Sequence, residues 1–360
     1  MKILLKNATL LPEYGYGARP VSVGIRNRKI AGVWEGENAD FRAEETIDCG
    51  GNLLMPAFCN THCHAAMTLF RGYGEDLPLQ EWLETRIFPA EEKLTFRAVY
   101  HASMLAIAEM LRHGIASFSD MYMFEDATAE AVLATGIKAN LSRSLVSFDP
   151  DIDMAKESRT VEAVRLAEWY HGCDEGRLRV DFSLHAEYTN VPRACEYVAE
   201  LARRFRTGMQ IHLSETEREH SECMARWGKT PTGFFRDTGV LDVPTTAAHC
   251  VWVTDDDIAV LAEKGVTVAH NPVSNLKLGS GVAPLRRLLD AGVNVALGTD
   301  GAASNNRLDI LRELQTAALI HKGVNRNPAI LRAEELVPLA TVNGMRAQGR
   351  PDSGRVEKGF

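Results

Sequence analysis

Two histidines one residue apart, His62 and His64, close an apolar run at Ala57–Thr61. In a strand, side chains alternate with a period of two, so both imidazoles would face one way and Cys63 the other. That is the geometry of a two-histidine metal clamp. His212 closes Gln210-Ile211-His212, His249 closes Ala247-Ala248-His249, and Asp300 closes Leu297-Gly298-Thr299-Asp300. Polar residues that terminate apolar strands must be satisfied in the core, exposed, or gathered into a site. Taken together, imidazoles and a carboxylate from different strands make a nitrogen and oxygen donor set suited to zinc or ferrous iron, with room for a water. A zinc-bound water has a pKa of about 7, which supplies hydroxide at neutral pH for attack on an sp² carbon. Glu215, three residues beyond His212, stands where a strand gives way to a loop. It fits an acid/base shuttle, and equally a carboxylate placed near the first turn of a following helix.

These residues need a scaffold that brings distant strand ends together. Eight short apolar runs are candidate strands, at Ala57–Thr61, Ala116–Asp120, Lys138–Ser142, Arg179–His185, Met209–Ser214, Thr245–His249, Val266–His270 and Asn294–Thr299. Amphipathic stretches such as Phe96–His113, Arg193–Arg206, Asp255–Lys264 and Leu308–His321 fall between or after them. This rhythm predicts parallel strands with crossover helices, an α/β fold of the (β/α)8 barrel type, whose active sites lie at the carboxyl ends of the strands. A doubly wound sheet would lack a Gly-rich turn after its first strand. The first fifty residues differ: Lys2–Leu5, Val21–Ile25, Lys29–Val33 and Glu45–Ile47 read as strands of a small β domain. The expected organisation is residues 1–54 in that domain, 55–348 in the barrel, and 349–360 returning toward the small domain.

Composition narrows the partners. The chain has 360 residues, 40 basic against 48 acidic, and a formal charge of −8. No Lys/Arg block suits nucleic acid or an anionic membrane, and no stretch reaches the roughly 18 apolar residues of a membrane span. Seven scattered cysteines without a C-x-x-C pair argue for reduced thiols and, with no signal-peptide pattern, a cytoplasmic protein. The His-x-Glu and Pro-Cys-x-x-Cys signature of small zinc nucleobase deaminases is absent from the sequence.

Five stretches resemble the amidohydrolase superfamily, and within it the 5-methylthioadenosine/S-adenosylhomocysteine deaminases: residues 55–64, 211–216, 248–250, 270–278 and 298–306. The resemblance implies one divalent metal, zinc first with Fe2+ or Mn2+ as alternatives, held by His62, His64, His212 and Asp300, with His249 beside the activated hydroxide. It implies hydrolytic deamination at C6 of an adenine nucleoside modified at the 5′ position, Asp300 accepting a proton from water and Glu215 protonating N1. Arg179–His185 contains no lysine that could bridge a second metal. A small β-sandwich is also implied, incomplete here because relatives continue past the equivalent of Gly359; exposed sheet edges and homo-oligomerisation would follow.

The resemblance further matches Trp82 and Glu91 to a lid over the nucleoside, Glu91 holding ribose hydroxyls, although this stretch also fits an amphipathic segment packed on the barrel. Arg143 and Arg159 match arginines facing the 5′ substituent, and His185 and Ser304 match polar substrate contacts. Arg159 equally fits a surface position, His185 a core histidine, and Ser304 a loop-shaping hydroxyl. Two other readings remain: a deaminase or chlorohydrolase of another ring such as guanine, a pterin or an s-triazine, and a non-catalytic nucleoside-binding barrel. Glu91 and Arg143 separate the first, since a bare base has neither ribose nor 5′ tail.

Overall fold

The computed structural model describes residues 1–15, 17, 19–36 and 40–360. It divides into two compact units, Met1–Phe58 with Gly349–Phe360, and Cys59–Gln348. Fourteen strands are labelled in chain order. The first unit holds β1 (Lys2–Leu10), β2 (Val21–Arg26), β3 (Lys29–Glu35), β4 (Glu45–Asp48) and β5 (Leu53–Leu54). They form one five-stranded sheet in the order β3-β2-β1-β4, with β5 also on β1. Strand β1 runs longer than the sequence pattern suggests because its register against β2 shifts between Leu5 and Ala8, at Asn7 with φ 55°. Such a bulge bends the strand, so its first half pairs with β4 and its second with β5. Ala8, Leu10, Val21, Val23 and Val356 are the buried residues of this unit's core. Residues 349–360 form turns rather than a strand, tied to β3 by hydrogen bonds between Ile30 and both Gly359 and Phe360. The described residues thus show a small β domain built on one sheet.

The second unit is a nearly closed parallel barrel: β6 (Phe58–Cys63, beginning at the unit boundary), β7 (Ile115–Tyr122), β8 (Lys138–Leu145), β9 (Leu178–Val180), β10 (Phe182–Leu184), β11 (Met209–Leu213), β12 (Thr245–His249), β13 (Thr267–His270) and β14 (Asn294–Leu297). Their order is sequential, β6-β7-β8-β10-β11-β12-β13-β14, with β9 on β8. Consecutive parallel neighbours separated by helices are what the alternating sequence pattern demands.

The fourth barrel strand is not the continuous Arg179–His185 expected from sequence. It breaks at Asp181, whose carboxylate accepts hydrogen bonds from Asn140 Nδ2, Gly208 N and Gln210 Nε2. Between β14 and β6 the closure uses side chains. Asn60 exchanges two hydrogen bonds with Thr299, and Asp300 N–H donates to the His62 carbonyl at 3.0 Å. Gly298 permits this approach, since a Cβ there would fall 2.4 Å from Asn271 Oδ1 and 2.9 Å from His62 Cβ.

The helices follow their apolar spacing. Phe96–Arg112 begins at Thr95, whose hydroxyl caps Ala98 N–H, and buries Val99, Ala102, Ser103, Ala106, Ile107 and Met110 on one face. Before it, Leu79–Glu91 forms helical turns with a wide π-helical turn at Leu83–Ile87. The wide turn aligns positions five apart, so Trp82 and Ile87 are buried on one side, with Glu91 a turn further on. No described helix is long and apolar enough to cross a membrane.

Candidate active site

The carboxyl ends of the barrel strands gather the histidines. His62 and His64 at the end of β6, His212 on β11 and His249 on β12 come together, the His62 ring lying within 5.6 Å of the other three by centroid. Cys63 points the other way, toward Asp120. Backbone and side-chain acceptors fix the tautomers. His64 Nδ1–H donates to the Met121 carbonyl at 2.6 Å, His212 Nδ1–H to the His185 carbonyl at 2.7 Å, and His249 Nδ1–H to Asn275 Oδ1 at 2.8 Å. A ring that donates through Nδ1 leaves the Nε2 lone pair to face inward. His64 Nε2 and His212 Nε2 then sit 3.4 Å apart, and His62 Nε2 is buried with no hydrogen-bond partner.

Asp300 joins from beyond β14. Its Oδ1 lies 3.6 Å from His62 Nε2 and 3.2 Å from His64 Nε2, while Oδ2 accepts from Ser274 and Ser304 hydroxyls at 2.6 and 2.7 Å. Two overlapping donor triads result, His62 with His212 and His249, and His62 with His64 and Asp300, each within 4.8 Å. Facing lone pairs, an orphaned buried nitrogen and a carboxylate make a donor set that fits a divalent cation. The electrostatics agree. Burial opposes charge on Asp300, yet the neighbouring His62 and His64 rings hold its carboxyl well below the usual range. Burial likewise opposes charge on His64, but Asp300 and Asp120 raise it to about 9, so these carboxylates stabilise whichever cation, proton or metal, its Nε2 holds.

Ser214, His249, Cys250 and Asp300 have φ of 47°, 74°, 48° and 60°, conformations that cost about 1–3 kcal/mol each and persist where surrounding contacts dictate them. One such device was not visible as a site residue in the sequence. Both oxygens of buried Glu219 accept backbone N–H groups, Ser214 at 2.8 Å and Glu215 at 2.6 Å. The Thr216-x-x-Glu219 spacing signals a helix cap, and Thr216 does cap Glu219 N–H, but the carboxylate reaches further back than a capping box. It thereby braces the peptide that carries Glu215. Burial pushes the Glu215 carboxyl up, against the pull of His249; its Oε1 accepts from Ser280 at 3.2 Å and its Oε2 lies 3.8 Å from His249 Nε2. Asn275, Ser274 and Asp120, which hold His249, Asp300 and the Ala65 backbone, were also without an assigned role.

A cavity of about 470 Å³ opens above this cluster. Trp82, Glu91, Arg143, Arg159, His185, Glu215 and Ser304 all line it, together with His64, His212, His249 and Asp300, whereas His62 does not. Glu91 accepts from the Tyr122 hydroxyl at 2.6 Å and is raised chiefly by burial. Trp82 both lines the cavity and packs with Met67, Leu79 and Ile87, so the packing and cavity roles coincide. His185 is brought down to about 4 by burial, and the Ser304 hydroxyl is committed to Asp300.

Fold and donor set together define a hydrolase that works with a divalent metal. The chain belongs to the amidohydrolase family, whose profile matches residues 53–360. It is 44% identical to 5-methylthioadenosine/S-adenosylhomocysteine deaminase of Caldicellulosiruptor saccharolyticus over 100% of this chain and 83% of that protein. It is also 44% identical to 5′-deoxyadenosine deaminase of Methanosarcina mazei, over 99% of this chain and 82% of the relative. Among solved structures, an adenosine deaminase from Xanthomonas campestris with bound zinc superposes with a TM-score of 0.91 at 33% identity, covering 99% of this chain and 82% of that one.

Proposed function

We propose that the protein is a metal-dependent deaminase of adenine nucleosides modified at the 5′ position, releasing ammonia and the inosine analogue. The observation that carries this reading is a buried carboxyl group, Glu215, sharing a cavity with Glu91, Asp300 and the histidine cluster. The relatives named as deaminases of such nucleosides support it. His62, His64, His212 and Asp300 would hold one divalent cation, zinc before ferrous iron or manganese, as the zinc-bound structural neighbour supports. Such an ion supplies an acidified water and hence a nucleophile at neutral pH.

The chain's own residues do the rest. Asp300, kept ionised, accepts a proton from the attacking water and returns it to the departing amino group. His249, its Nδ1–H committed to Asn275, turns Nε2 toward that water and orients it. Glu215, whose carboxyl burial pushes up, donates to N1 of the adenine ring as electron density arrives at C6 and recovers a proton from the new C6 hydroxyl as ammonia leaves. Acid and base then meet charge that exists only in the transition state, where stabilisation raises the rate. Glu91 takes the ribose hydroxyls, Trp82 covers the nucleoside, His185 and Ser304 border the purine end, and Arg143 and Arg159 border the 5′ end. All of these residues fall within Cys59–Gln348. Seven free thiols support a reducing, cytoplasmic setting.

Ammonia release and the ultraviolet shift from adenine to hypoxanthine test the reading, with adenosine, 5′-deoxyadenosine, methylthioadenosine and S-adenosylhomocysteine on protein of known metal content. Turnover of any supports it. Metal-loaded protein that leaves all four untouched sinks it.

A further inference from the structure

The 5′ end of the cavity carries two arginines, and neither is free. Arg143 Nε donates to Glu162 Oε2 at 2.6 Å and its Nη1 to the Ser144 carbonyl at 2.7 Å. The same guanidinium also acts on Glu91 and on Glu125, drawing the pKa of each down against burial. One cation therefore stands among three carboxyl groups, and Glu162 alone cancels its charge. Arg159 Nη1 donates to the Val146 carbonyl at 3.0 Å and lies 4.0 Å from Glu157 Oε1. Glu157 is fixed there because its other oxygen caps Thr160 N–H at 2.8 Å. The surrounding wall is apolar, with Met123, Val146, Phe88 and Phe148, the last 71% exposed. A carboxylate entering this region meets no net positive charge. To reach Arg143 it must displace Glu162 from a short charge-assisted bond or lie beside it against like-charge repulsion.

We infer that this subsite takes an uncharged, apolar 5′ substituent, and that Glu162, which does not itself line the main cavity, sets this preference by occupying Arg143. The inference rests on the nucleoside deaminase reading and deepens it. An amino-acid tail is disfavoured because its carboxylate competes with Glu162, whereas a 5′-deoxy or methylthio group needs no counter-ion and packs on Val146 and Phe148. Arg143 then acts as a partner of Glu91 and Glu162 and not as a clamp for an acidic tail.

The test compares kcat/KM for methylthioadenosine, 5′-deoxyadenosine and S-adenosylhomocysteine in the native protein, in Glu162→Gln and in Glu162→Gln combined with Arg143→Ala. Native protein should favour methylthioadenosine over S-adenosylhomocysteine by roughly tenfold or more. Glu162→Gln should shrink that ratio about tenfold, through KM for S-adenosylhomocysteine, and the added Arg143→Ala should restore the discrimination. Equal or better use of S-adenosylhomocysteine by native protein, or a ratio unmoved by Glu162→Gln, overturns the inference while leaving the deaminase reading intact. Calorimetric binding of the inosine-form products, with methylthio or homocysteine tails, reads the same preference without turnover. Affinities that do not differ between the two tails overturn the inference even in an inactive preparation. Glu162 is 43% exposed at its side chain, so its replacement leaves the core unchanged, and an unshifted Tm confirms that the ratio reports the subsite.

Discussion

The floor of the cavity and its 5′ rim use charge in opposite ways. On the floor, His64, His212, His249, Glu215 and Asp300 are buried or nearly so, and each is held by a hydrogen-bond partner. Their inward atoms are left to face one another, an arrangement that costs stability unless something positively charged or a reacting group completes it. On the rim, Arg143 pairs with Glu162 and Arg159 stands near Glu157, so charges cancel locally and two of the four side chains are more than two-fifths exposed. The difference separates two tasks. Chemistry needs groups whose protonation is settled before substrate arrives, whereas selection among 5′ substituents needs only a small difference in what the wall tolerates.

Removing a charge from the floor should therefore have the largest effect. Asp300→Asn replaces the carboxylate facing His62 and His64 with an amide that cannot accept the proton of the attacking water. We expect kcat/KM to fall by about 10⁴-fold or more, with lower bound metal measured by elemental analysis. A loss under tenfold with full metal would show that the proton is accepted elsewhere and that the floor is less settled than its hydrogen bonds indicate.

A brace one step removed should cost less. Glu219→Gln turns one of two acceptors into a donor that points at a backbone N–H. The expected outcome is a kcat lower by roughly 10- to 100-fold with KM near native, because Glu215 is displaced rather than removed. Stability should fall by about 1–3 kcal/mol, read by urea denaturation, since a buried N–H loses its partner. Equal damage to KM and kcat would make Glu219 a structural residue only.

This contrast explains what the sequence could and could not reveal. His62 and His64 were legible because a two-residue spacing on a strand fixes a common face, and His212, His249 and Asp300 because each ends an apolar run. His270 ends β13 in the same manner, yet its Nε2 meets His321 Nε2 at 3.1 Å on the helix Ile310–Val324. A strand-end histidine is thus not a site residue by pattern alone; the direction it faces is set by neighbouring strands. The break at Asp181 was hidden for a similar reason, since its partners Asn140 and Gln210 lie 41 and 29 residues away. Glu162 and Glu219 escaped because both sit on ordinary helical spacing and act through residues on other segments.

The His270–His321 pair offers the next smaller effect, and it separates burial from function. Both rings are about 2% exposed, and burial brings His321 from 6.5 down to about 4. Between those values the folded chain binds fewer protons than the unfolded chain, so stability is full above pH 6.5 and is lost as pH falls toward 4. His321's own share is on the order of 3 kcal/mol. His321→Gln keeps a hydrogen-bonding group beside His270 but removes that titration, so urea midpoints measured from pH 7 to 4.5 should fall less steeply than in native protein. An unchanged slope would mean that the pair does not resist protonation.

The smallest change should come from the rim. Arg159 is 42% exposed at its side chain, and its ion pair with Glu157 spans 4.0 Å, the kind of surface pair that contributes about 0–1 kcal/mol. Its replacement removes a cation whose charge is already offset and whose strongest contact is to the Val146 carbonyl. Arg159→Ala should thus alter kcat/KM for methylthioadenosine by no more than about threefold, the equivalent of well under 1 kcal/mol. The same variant should leave S-adenosylhomocysteine nearly as poor a substrate as before, because Glu162 still occupies Arg143. If Arg159→Ala instead lowers S-adenosylhomocysteine turnover by a hundredfold while sparing methylthioadenosine, the rim holds an acidic tail through Arg159. Floor and rim would then both rely on fixed charge, and the division of labour between them would fail.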